Sequence, residues 1–133
     1  MQVFLFVNLT DAPSFSYQQP ILQWVKEIAP ATITLDMDTF SEELLVSQAC
    51  RLLQEATSFI VYFKTEAKEA PFRAAQKVVE ELIWKDKPGT VLLEGQHRRL
   101  QLMLPARSHI SFQAGESAEA LKPFLRAALT ATT

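Results

Sequence analysis

Val3-Phe4-Leu5-Phe6-Val7, with its counterpart Phe59-Ile60-Val61-Tyr62-Phe63, decides the fold. Both runs are short, continuously apolar, and rich in β-branched and aromatic side chains. A strand with one wet face alternates apolar and polar residues, whereas a strand buried on both faces does not. Two such runs therefore predict a parallel sheet covered by helices on both sides.

Working outward, Ser16 and Gln19 have capping-box spacing ahead of a helix marked by Ile21, Trp24, Val25 and Ile28, with Pro20 in its first turn and Pro30 after its end. Thr32 to Leu35 reads as a second strand ending in an acidic turn, Asp36-Met37-Asp38. Thr39 and Glu42 make another capping box, opening a helix with Leu45, Ala49, Leu52, Leu53 and Ala56 on one side. Beyond the third strand, Lys64 to Ala70 is a charged loop, and Pro71 suits the first turn of a helix carrying Phe72, Ala75, Val79, Leu82 and Ile83. Asp86-Lys87-Pro88-Gly89 is a turn, and Val91-Leu92-Leu93 a fourth strand. Leu100, Leu102 and Leu104 alternate with polar residues and Met103, which predicts a half-exposed strand entered through a hairpin loop at Gly95-Gln96-His97. Ile110 and Phe112 suggest a further strand. Leu121, Phe124, Leu125, Ala128 and Leu129 mark a last helix, with Pro123 in its first turn or kinking it. Alternation of this kind implies right-handed crossovers and an open, mostly parallel sheet of five to six strands. The expected fold is α/β and flavodoxin-like, with strand order 2-1-3-4-5 and a single domain over residues 1–133.

The bulk numbers agree. A chain of 133 residues, 48% hydrophobic and 21% charged, can bury a core without metal or disulfide staples. Its one cysteine, Cys50, excludes an intramolecular disulfide. No apolar run approaches the length of a membrane span, and the N-terminus lacks the basic and small-residue marks of a secretory signal. The expectation is a cytoplasmic protein. A formal net charge of −2 offers no general attraction to nucleic acid or anionic membranes.

Ligands of open parallel sheets sit beyond the carboxyl ends of the strands. The first such loop, Asn8 to Ser14, has no glycine, so it cannot bring backbone N–H groups close to a phosphate in the usual way. Its Asn8, Thr10 and Asp11, with Gln76 from the third helix, are candidates to line a polar ligand pocket. A receiver-type phosphorylation site needs an aspartate at the end of the third strand, where Lys64 stands instead. His97, His109 and Cys50 lack metal-ligand spacing, and the glycine-flanked nucleophile elbow is absent. No metal or cofactor is expected. His97-Arg98-Arg99, with Lys85, Lys87 and Arg107, is a candidate basic patch whose plainer reading is charge protection of a sheet edge.

Certain segments resemble a TIR-like domain of the Toll/interleukin-1 receptor and bacterial defence family. They are the first strand with its polar loop containing Asp11, the second strand running into Asp36, the run Leu52-Leu53-Gln54-Glu55-Ala56-Thr57-Ser58-Phe59-Ile60-Val61-Tyr62, and Leu104-Pro105 with His109-Ile110-Ser111-Phe112 before the last helix. Members that cleave NAD use a helix glutamate in a Trp-Cys-x-x-Glu run. The resemblance places Phe72-Arg73-Ala74-Ala75-Gln76 there, with Gln76 in the acid's position. An amide does not stabilise a developing oxocarbenium charge as a carboxylate does, which implies a domain that acts by contact. A shift of one helical turn would make Glu80 the acid.

The sequence thus leads to a non-enzymatic interaction or regulatory module, taking a protein partner or a second copy through Asp36, Met37, Asp38 and Phe40. The alternative is an NAD- or nucleoside-cleaving enzyme with Glu80 or Glu81 as the working carboxylate. Membranes and nucleic acid are not expected partners.

Overall fold

The computed structural model describes residues 1–9, 20–65 and 71–130. Its elements run β1 (Gln2–Leu9), α1 (Pro20–Ile28), β2 (Ile33–Asp38), α2 (Glu43–Glu55), β3 (Ser58–Thr65), a 3-10 turn (Arg73–Ala75), α3 (Gln76–Trp84), β4 (Gly89–Glu94), α4 (Arg98–Met103), β5 (Ile110–Gly115) and α5 (Ala118–Thr130). The five strands form one sheet in the order β2-β1-β3-β4-β5, and every neighbouring pair is parallel. This is the open flavodoxin-like α/β arrangement that the two greasy runs predict.

The pleat sends alternate residues of the central strands into two cores. Val3, Leu5 and Val7 of β1 and Phe59, Val61 and Phe63 of β3 pack beneath α2 and α3. Phe4, Phe6, Ile60 and Tyr62 pack on the other face, beneath α1 and α5. All of these side chains are buried. At roughly 1.5–3 kcal/mol for each large apolar side chain removed from water, this double burial is the principal favourable term holding the sheet to its helices.

The structure corrects the sequence at several boundaries. β2 extends through Asp38, so Asp36-Met37-Asp38 is strand rather than turn. Met37, expected on the surface, pairs in register with Val7 and is 2% exposed within the α2–α3 core. The capping box at Thr39 and Glu42 does not form. Asp38 Oδ1 accepts from the Phe40 amide at 2.8 Å and from Ser41 Oγ at 3.4 Å, which turns the chain and draws Thr39 inward. α2 then begins at Glu43, with no side-chain cap from Glu42. Pro123 lies inside α5, beyond its first turn.

The largest departure follows β4. The segment around Leu100, Leu102 and Leu104 is helix, not strand. Leu100 and Leu104 are four residues apart, so a period of two and a helical period both accommodate them. Topology decides between the two: β5 runs parallel to β4, and a parallel neighbour requires the chain to cross back. In the helix Leu100 and Leu104 are buried and Leu102 is left 69% exposed. His97 caps it, its Nδ1 accepting from the Leu100 amide at 3.4 Å, while Gln101 Oε1 accepts from the His97 amide at 3.1 Å.

Gly95 makes this exit from the sheet possible. Its φ is +100°, and an added Cβ would run into the Thr65 carbonyl oxygen. Its amide donates to the Gly115 carbonyl at 2.8 Å, tying the ends of β4 and β5. Gly95→Ala should therefore cost about 1–3 kcal/mol through backbone strain and the close approach. The expected result in urea is a lower unfolding midpoint with an unchanged slope.

Candidate functional site

The strand order reverses between β1 and β3, and the carboxyl ends of the strands at such a switch point are where open parallel sheets bind. Two groups of side chains meet at this end, one on each face.

On the α1–α5 face the register lines up Asp38, Asn8, Lys64 and Glu94 across β2, β1, β3 and β4. One pleat repeat below them lies Tyr62, whose hydroxyl donates to Glu94 Oε1 at 2.6 Å. Lys64 Nζ is 3.8 Å from Glu94 Oε2, and both side chains are largely withdrawn from solvent. Burial holds the Tyr62 hydroxyl far above the ordinary phenol range, and its bond to the Glu94 carboxylate adds to the shift. Tyr62 is therefore a fixed donor that orients Glu94. Asp36 shares this face, paired in register with Phe6. Burial, then the charge of Asp38, raises its pKa above 3.8.

On the α2–α4 face a seam of rings and guanidinium groups joins the three strand-to-helix connections. Arg73 Cζ lies 5.2 Å from the centroid of the Phe40 ring. Phe72 stacks on His97 at 4.9 Å between centroids, and Arg99 Cζ covers the Phe72 ring at 4.7 Å. Each of these cation–ring contacts contributes about 0.5–1 kcal/mol at an exposed position. Arg73 has a φ of +48°, the left-handed region, where a non-glycine residue is held at a cost of about 1–3 kcal/mol. The neighbouring Ala74 amide donates to the Thr39 carbonyl at 3.2 Å, which locks the β3–α3 connection onto the β2–α2 connection. Phe40 is 38% exposed, and Arg73 over it and Arg99 over Phe72 are exposed as well.

The structure separates the other residues singled out from the sequence. Thr10 and Asp11 lie outside the described residues, as do Ser16 and Gln19. Asn8 stands at the carboxyl end of β1 and Gln76 opens α3. Glu80 is exposed, accepts from Gln76 Nε2 at 3.3 Å, and faces the groove between α2 and α3 with Cys50 and Trp84. Glu81 accepts from Gln54 Nε2 at 3.0 Å and lines a cavity of about 470 Å³ with Leu53, Phe59, Lys85 and Lys87. Phe59 and Lys87 belong to the starts of β3 and of the approach to β4, so this cavity is at the amino end of the strands. The two glutamates are thus removed from the switch point. Lys87 Nζ donates to the Leu53 and Gln54 carbonyls, closing the end of α2.

His97 does not belong to a surface basic patch: it is fully buried as the cap of α4. Sequence reasoning missed Tyr62, Glu94 and Arg73. The first two lie 32 residues apart on neighbouring strands, in no common sequence window, while Arg73 is marked only by its backbone angle. Among the described residues no group of three or more His, Cys, Asp or Glu side chains is placed to hold a metal ion, and no helix is long and apolar enough to cross a membrane. Comparison with protein-family models, with curated proteins and with solved structures found no match.

The Asp36 environment has a pH signature. A carboxyl whose folded pKa is raised favours the fold while protonated, and that contribution is lost as pH rises through the folded value. At neutral pH the half-buried charge beside Asp38 therefore opposes folding. Asp36→Asn should raise the melting temperature at pH 7, and the gain should vanish as pH falls below about 3.8, the ordinary aspartate value. Thermal melts of both proteins across that range check it.

Proposed function

We propose that this chain is a non-enzymatic interaction or regulatory module of the cytoplasm, one that holds an acidic segment of a signalling partner at the α2–α4 side of the sheet's carboxyl end. The observation that carries the reading is Phe40, a large exposed ring fixed beneath Arg73 whose own backbone is constrained. An aromatic ring and a guanidinium held in one geometry make a low-entropy anchor of the type that dominates protein interfaces. Arg99, over the Phe72 ring, adds positive charge along the same seam, in a chain whose net charge is −2. Such a seam favours an acidic partner and speeds its encounter.

The chemistry at this end supports contact over turnover. Glu94 is engaged by Tyr62 and Lys64, and Asp38 by its own turn. The TIR-like resemblance points the same way, since it puts Gln76 where a catalytic acid would stand. Of the residues that the sequence nominated for contact, Phe40 is the one this reading keeps at the interface. Asp38 shapes the turn behind it, while Asp36 stays in β2 and Met37 is buried in the core.

An Asp- and Glu-rich peptide with one aromatic residue is the probe. Binding followed by fluorescence anisotropy should weaken as salt is raised. The Phe40→Ala, Arg73→Ala double variant should lose at least tenfold, with an unchanged far-UV circular dichroism spectrum. Equal binding by the double variant overturns the proposal. So does release of a free base from NAD or a nucleoside by the pure protein, abolished by Glu80→Gln or Glu81→Gln, which would install the glycosidase reading in its place.

A further inference from the structure

The two edges of the sheet differ in how they are protected. β2 forms one edge and carries Asp36 and Asp38, charges of the type that discourage pairing with another chain. β5 forms the other edge as Ile110-Ser111-Phe112-Gln113-Ala114-Gly115, six residues with neither a charge nor a proline. Its direction of hydrogen bonding is readable. Residues 109 and 115 direct their carbonyls to β4, accepting from the Gly89 and Gly95 amides. Backbone groups alternate along a strand, so Phe112 and Ala114 direct theirs to the open side. Ser111, Gln113 and Ala114 are exposed.

Two further features suit this edge to a copy of itself. Exposed Arg107 precedes β5, and exposed Glu116 and Glu119 follow it. Antiparallel pairing of two β5 strands sets the basic start of each against the acidic end of the other, whereas parallel pairing would oppose like charges. Antiparallel pairing is also the arrangement that a two-fold axis generates. With that axis perpendicular to the sheet, both α5 helices lie on the same side. On α5, Lys122 faces α1, its Nζ 4.4 Å from the centroid of the Trp24 ring. Phe124, two residues on and so about 200° around the helix, lies on the opposite flank, toward the β5 edge, and is 43% exposed. The two Phe124 rings would approach each other across the axis.

We infer that β5 is a self-association edge, through which two copies pair antiparallel into one continuous ten-stranded sheet, with Arg107 of each copy facing Glu116 and Glu119 of the other. The contact comprises six residues of strand and one aromatic flank, less than the roughly 800 Å² per partner of a standard stable interface. The dimer is accordingly weak, with a dissociation constant on the order of 10–100 μM. This surface lies away from the Phe40–Arg73 seam, so its failure would leave the proposed function untouched.

Sedimentation equilibrium of the full chain, up to about 1 mM, is the test. The wild type should show a concentration-dependent dimer. Ala114→Lys, which puts two like charges on the paired edges, should weaken it at least tenfold. Arg107→Glu should weaken it too, and Arg107→Glu combined with Glu116→Arg should restore it, because the two ends have then exchanged sign. Thr34→Lys on β2 should leave it unchanged. A wild type that stays monomeric, a dimer indifferent to Ala114→Lys, no recovery in the double variant, or a larger effect from Thr34→Lys would each overturn the inference.

Discussion

Burial of β1 and β3 on both faces is the constraint from which the rest of the architecture follows. A strand apolar in every position must be covered twice, and helices from the crossovers of a parallel sheet supply the two covers. Phe4 and Phe6 then need α1 and α5 as much as Val3, Leu5 and Val7 need α2 and α3. Because all crossovers have one hand, the chain must leave the first two strands in opposite directions to cover both faces, and the sheet order reverses between β1 and β3.

That reversal brings unrelated parts of the chain together at the carboxyl ends of the strands. The α1–α5 side gathers Asn8, Lys64, Glu94 and the Tyr62 hydroxyl into a polar row in which Glu94 is engaged by both Tyr62 and Lys64. A buried phenol that is held protonated acts there as a permanent donor. The opposite side is built differently, from rings and guanidinium groups that interlock successive strand-to-helix connections. Its rigidity rests on the constrained Arg73 backbone and on the buried His97 cap, so the exposed Phe40 edge is presented by a firm platform. The cavity beside Glu81 is at the other end of the molecule, where Lys87 closes α2.

The edges of the sheet add a second kind of surface. Acidic side chains guard β2, while β5 has an uncharged backbone edge between oppositely charged flanks. A surface that recognises backbone and flanking charge is independent of one that recognises an aromatic–cationic pair. The fold can therefore carry both.

How much of this was legible in the sequence depends on the range of the interaction concerned. Uninterrupted apolar runs at Val3 to Val7 and Phe59 to Phe63, separated by helical periodicity, were enough to determine the layer architecture, the parallel sheet and the strand order. Those features depend on local patterns and on the general handedness of crossovers. Met37 was misread, because its flanking aspartates read as a turn, although it continues the alternation of Ile33 and Leu35 into the strand. Leu100 and Leu104 fit a strand and a helix equally, whereas Leu102 suits only the strand, and the need to return β5 parallel to β4 decided for the helix. The site was the least visible. Tyr62 reaches Glu94, and Arg73 reaches Phe40, across tens of residues of chain. Such contacts depend on register and on the way one connection packs against the next, which no local spacing encodes. The sequence determined which faces must be hidden from water; the tertiary structure decided which polar groups meet once they are.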